Sequence, residues 1–104
     1  MKPKEFTVKT MDDFQTLVNA RHFSISEAIV DSILRNLKTR KKRVHVLSVK
    51  CVEDDAIFDV TLDKTKFIDT LRENLKYFEE RELYEECAKI NKAIDDLDKV
   101  KKSR

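Results

Sequence analysis

Leu83-Tyr84-Glu85-Glu86-Cys87-Ala88-Lys89-Ile90-Asn91-Lys92-Ala93-Ile94-Asp95-Asp96-Leu97 carries apolar residues at 83, 87, 90, 94 and 97, spaced by 4, 3, 4 and 3. That spacing draws one apolar stripe down a helix, and a stripe of this kind meets a second helix. Just upstream, Ile68, Leu71, Leu75 and Phe78 step by 3, 4 and 3, and the charged link 79–82 leaves room only to turn back. The two segments are expected to close as an antiparallel hairpin, an element suited to docking rather than to catalysis.

Over 71–97 the chain resembles the UVR motif, the helical hairpin of the repair proteins UvrB and UvrC that also occurs in bacterial stress-protease adaptors. The family pattern is roughly F-E-x-A-A-x-L-R-D-x-I-x-x-L. Tyr84-Glu85 stands at F-E, Cys87-Ala88 at A-A, and Ile90, Ile94 and Leu97 at the three aliphatic positions, while Asn91-Lys92 replaces R-D. The resemblance covers about a quarter of the chain and implies a hairpin that docks on a larger protein.

The 104 residues suit one domain, with an α/β part over 1–62 and the hairpin over 63–104. Charged and hydrophobic residues each make up 40 %, the balance of a folding chain with a densely charged surface. No apolar run is long enough for a membrane span and the first residues lack a secretory pattern, so a cytoplasmic protein without membrane contact is expected. The absence of glycine removes phosphate-cradling loops, nucleophile elbows and calcium loops, all of which need positive φ or close backbone approach. Cys51, Cys87, His22 and His45 lack metal-ligand spacing, and the cysteines read as reduced core residues. No cofactor, metal or catalytic residue is expected.

Residues 5–9 alternate as a short strand, and Thr10 with Asp13 forms a capping-box signal before Met11, Phe14, Leu17 and Val18. Ser24 with Glu27 gives a second such signal before the wide apolar face of Ile25, Ala28, Ile29, Ile33 and Leu37. Residues 44–52 are rich in β-branched types, with Leu47, Val49 and Cys51 on one face, and Ala56, Phe58, Val60 and Leu62 alternate likewise across the acidic turn 53–55. Asp63 is expected to cap the next helix. The fold expected is α+β in the order β-α-α-β-β-α-α, a small antiparallel three-stranded sheet covered by helices on one face and ending in the hairpin. The hairpin alone buries too little apolar surface to offset the ordering of some thirty residues, so it must rest on the sheet, on a second copy or on a partner. Phe67, Tyr84 and Ala88, beside the main stripe, are the candidates for that contact.

Function is therefore expected to be non-enzymatic: a bacterial or phage accessory protein that regulates or recruits a larger protein, or self-associates as a homodimer. Tyr77, Glu80, Tyr84, Glu85, Asn91 and Lys92 are the expected protein contacts, since aromatic anchors among charges characterise docking faces. The alternative is RNA or DNA binding through Lys38, Arg40, Lys41, Lys42 and Arg43, reinforced by Lys2, Lys4, Lys99, Lys101, Lys102 and Arg104. Charge is unevenly spread in support of both. Residues 63–98 hold 11 acidic and 7 basic side chains, net −4, and the remainder carries +6.

Overall fold

A computed structural model of the chain describes residues 4–20 and 23–102, with side chains as far as Lys99. The elements are β1 (Lys4–Val8), α1 (Met11–Asn19), α2 (Phe23–Arg35), β2 (Arg43–Cys51), β3 (Ala56–Asp63), a 3-10 turn (Lys64–Lys66), α3 (Phe67–Glu80) and α4 (Tyr84–Lys102). The class and order are those expected, but the sheet is mixed rather than antiparallel. Its order is β1-β2-β3, with β1 parallel to the central β2 and β3 antiparallel to it. The reason lies in the connection: α2 packs against the sheet and returns the chain to the end where β1 began, so the next strand runs parallel to the first. Alternation in sequence specifies which face of a strand is buried and is silent on its direction.

The core is a single layer between sheet and helices. Val44, Val46, Leu47, Val49 and Cys51 of β2 are buried, and the four aliphatic ones meet Ile25, Ala28, Val30 and Ile33 of α2 and Phe67, Leu71 and Phe78 of α3 in one cluster. Five apolar positions at 44, 46, 47, 49 and 51 cannot share one face of a regular strand. They do so here because the β2–β3 register slips between His45 and Leu47: His45 pairs with Thr61 and Leu47 with Val60, leaving Val46 as the extra residue of a bulge. At this bulge Ser32 of α2 donates its hydroxyl to Val46 O at 2.9 Å, a buried hydrogen bond. That bond ties the main helix to the central strand.

Local signals fared unevenly. The Thr10–Asp13 capping box is present in both directions, at 3.2 and 3.3 Å. Ser24 falls inside α2 (Phe23–Arg35) rather than at its cap. Asp63 makes no capping bond; its carboxylate lies 3.7 Å from Arg43 across the strand pair. The hairpin closes as expected, with Leu71, Phe78, Cys87, Ile90 and Ile94 buried and Ile68, Leu75 and Leu97 packed at its margin. It rests on the rest of the domain through Phe67, whose side chain is fully buried, whereas Tyr84 and Ala88 face outward.

With no glycine available, two turns place other residues at positive φ, Asp55 (47°) between β2 and β3 and Glu82 (58°) between α3 and α4. At the second, Leu83 N–H donates to Phe78 O at 3.1 Å and Glu82 N–H to Glu79 O at 3.0 Å, the paired bonds of a Schellman termination.

Two stability predictions follow from these contacts. Ser32→Ala should cost about 0.5–1.5 kcal/mol by removing the buried bond to Val46 O, whereas Thr16→Ala, which removes an exposed bond to Asp12 O, should be nearly neutral. Glu82→Gly should raise stability by about 0.5–1 kcal/mol, because glycine reaches this conformation without the steric cost a β-carbon carries. Urea denaturation of the variants measures all three.

Candidate docking surface

The expected protein contacts are spread over both helices of the hairpin, Tyr77 and Glu80 on α3 and the other four on α4. Tyr77 is half-buried on α3, with Lys76 Nζ 5.4 Å from its ring centroid. Glu80, Tyr84, Glu85, Asn91 and Lys92 are exposed, and Tyr84 is the most accessible large apolar side chain among the described residues, at 67 %. On α4, Tyr84, Ala88 and Asn91 follow the 4 and 3 spacing that puts them on one outward face, with Lys92 beside it.

The concave feature of the hairpin end lies next to them and contains none of the six. An open groove of about 480 Å³ runs between α2 and the hairpin tip, lined by Glu27, Asp31, Leu34 and Arg35 on one wall, Phe78, Leu83 and Glu86 on the other, and Lys4 of β1 at its mouth. Leu83, expected on the buried seam, is 38 % exposed. The Schellman turn makes it the third residue beyond α3 and the last before α4, so it lines the groove with Phe78 instead of entering the seam. The inner end is stiffened by rings: Phe23 and Phe78 meet edge to face with centroids 4.9 Å apart, and the Arg81 guanidinium covers Phe23 at 4.2 Å. Arg35 pairs with Asp31 along α2. Groove and tip together present apolar surface ringed by carboxylates, with Glu79, Glu80, Glu82, Glu85 and Glu86 clustered within eight residues against the single cation Arg81. Sequence periodicity could not reveal a wall shared by two helices that are distant in the chain.

The basic run lies at the other end of the hairpin. Lys38, Arg40, Lys41, Lys42 and Arg43 are all exposed, in the loop between α2 and β2 and at the first residue of β2. Arg43 pairs with Asp63, while the other four join no ion pair among the described residues. Of the proposed reinforcements, Lys4 sits at the groove and Lys99 on the last described turns of α4. The side chains of Lys2, Lys101, Lys102 and Arg104 lie outside the described residues, as does His22.

His45 faces away from the core, alternating with the buried Val44 and Val46 on either side. Its Nε2 is 2.9 Å from Leu47 O, 2.8 Å from Ser48 Oγ and 3.4 Å from Asp59 Oδ1, and Ser48 donates to Asp59 at 2.9 Å. A carbonyl only accepts, so Nε2 carries the proton; the serine proton is directed to Asp59 and not to the imidazole. These three residue types therefore stand together without the geometry that activates a nucleophile, in which the carboxylate holds the opposite ring nitrogen. No group of three or more His, Cys, Asp or Glu side chains that could hold a metal is present among the described residues, and no helix there is long and apolar enough to cross a membrane. No protein-family model, curated protein or solved structure matches the chain.

Cys51 and Cys87 are buried free thiols. Cys51 donates to Asp54 Oδ2 at 3.3 Å, beside the 52–55 turn. Burial raises the Cys87 thiol above its ordinary value of 9.0, and the carboxylates of Glu79 and Glu86 add to the rise. An acid whose folded-state pKa is raised keeps its proton longer folded than unfolded. Its contribution to stability is complete below the unfolded-state value and is lost as pH climbs toward the folded one. Unfolding free energy should therefore fall above about pH 9, and Cys87→Ala should flatten that decline; denaturation series from neutral to alkaline pH on both proteins would check it.

Proposed function

We propose that this chain is a small non-enzymatic interaction module whose hairpin tip docks on a larger protein to regulate or recruit it, in the manner of a bacterial or phage accessory protein. The observation that carries the reading is the groove between α2 and the tip of the α3–α4 hairpin, with Leu34, Phe78 and Leu83 in its walls and the exposed Tyr84 at the start of α4. An aromatic anchor beside an apolar recess, framed by charge, is the composition that carries most of the affinity in protein interfaces. The UVR-like spacing of 84–97 supports the same use of the hairpin. The carboxylates of Glu27, Asp31, Glu86 and the 79–86 tip favour a partner surface that brings lysine or arginine around an apolar centre.

Immobilised protein incubated with nuclease-treated native lysate should retain a partner through moderate salt. Tyr84→Ala, exposed and without a core role, should weaken the purified interaction at least about tenfold, the loss of roughly 1.4 kcal/mol or more expected of an anchor residue. A partner held equally by the variant, or only nuclease-sensitive species on the wild-type resin, would sink the reading.

A further inference from the structure

The 38–43 loop does not stand alone, because the fold brings a second basic segment against it. Lys64 N–H donates to Lys42 O at 2.9 Å, and Lys64 Nζ donates to Thr39 O. Thr39 is held in turn by Asn36, whose carbonyl accepts from its amide at 3.3 Å and from its hydroxyl at 3.1 Å. The loop is therefore pinned at 39 and at 42, with Arg40 and Lys41 displayed between the pins, and the neighbouring exposed Lys66 stands at the start of α3.

Cations at the C-terminal end of α2 can be read as complementing that helix's dipole, but the same account fails for Lys66. It lies at the N-terminus of α3, where the dipole is positive and a cation is unfavourable. Lys64 has its head group bound to a carbonyl and Arg43 is paired with Asp63, so among the described residues the cations this pole leaves for a ligand are Lys38, Arg40, Lys41, Lys42 and Lys66.

We propose that this pole is a binding site for the phosphate backbone of double-stranded nucleic acid. A duplex carries one negative charge per about 1.7 Å of axis, a line of charge that a prepositioned row of cations neutralises with release of bound counterions. The surroundings select among polyanions. Base stacking on a single strand needs exposed aromatic rings, and the exposed ones, Phe58 and Tyr84, lie on the far part of β3 and at the opposite hairpin tip. A lipid surface would be met by apolar side chains among the cations, and among the described residues none of the exposed large apolar ones belongs to this pole. Contacts limited to phosphates bind without reading sequence. The proposal is independent of the docking role of the hairpin tip.

Anisotropy titrations of a labelled DNA duplex of about 24 base pairs, run from about 50 to 200 mM salt, test it. Five neutralised phosphates predict a slope of log K against log salt of about −4.5, so that doubling the salt weakens binding about twentyfold. Lys41→Ala and Lys66→Ala, far apart in sequence, should each reduce the slope by about 0.9, while Lys50→Ala and Lys89→Ala, which remove equal charge elsewhere, should leave it unchanged. Unaltered melting curves would establish that each variant is folded. The proposal is overturned if the duplex fails to bind at the lowest salt, or if the pole and control variants behave alike. Tighter binding of the single strand, of a polyglutamate peptide or of anionic phospholipid vesicles would overturn it as well.

Discussion

One irregularity, the bulge in β2, governs how the two layers of this protein fit together. It lets five apolar residues of one strand face the helices, and the Ser32 hydroxyl on the Val46 carbonyl ties the covering helix to the strand at that point. Without the bulge, either Val44 and Val46 or Leu47, Val49 and Cys51 would be turned to water, because a regular strand alternates faces at every residue. The same irregularity puts His45 and Ser48, three residues apart, on one face, where they join Asp59 in a polar cluster.

The second constraint is the missing glycine. Both tight connections that build the fold, the β2–β3 turn and the α3–α4 turn, need a residue in the left-handed region, and the chain supplies Asp55 and Glu82. Aspartate tolerates this conformation better than most residues, glutamate less so. The strain at Glu82 is held in place by the two Schellman bonds, and it has a consequence for the surface. By turning the chain sharply after α3, it lifts Leu83 out of the hairpin seam to line the groove with Phe78, which creates its apolar wall.

How much of this could be read from the residues depends on whether the determinant is local. The hairpin seam was legible because 3 and 4 spacing fixes a helix face, and Ile90 and Phe78 lie where that arithmetic puts them. Leu83 escaped because its role is set by backbone geometry after the last helical turn. Ala93 is buried although it stands outside the counted stripe, its small side chain admitting close helix approach. The bulge did leave a trace, since the apolar positions of β2 change parity between 46 and 47, a signal stronger than the alternation of 47, 49 and 51 alone. Parallel pairing of β1 left none. The groove and the joining of Lys66 to the 38–43 loop depend on chain segments that meet only in three dimensions, so no reading of spacing could have assembled them.

The charge distribution is also informative when set against helix electrostatics. Lys64 and Lys66 precede α3, and Glu79 and Glu80 end it, while no basic residue occupies its last turn. Both ends thus carry charges of the sign that opposes the helix dipole, each costing about 0.3–1 kcal/mol at low salt where exposed, with Arg81 at the C-cap compensating in part. Asp69 in the first turn offsets part of this, and Glu85 and Glu86 are well placed for α4, so the acidic tip suits one helix at the expense of the other. A surface charged only for solubility would have no reason to oppose α3 at both termini. The helix, about 21 Å long by its fourteen residues, holds the two poles apart by more than two screening lengths at physiological salt, and so a polyanion at one and a basic protein surface at the other could be engaged without mutual interference.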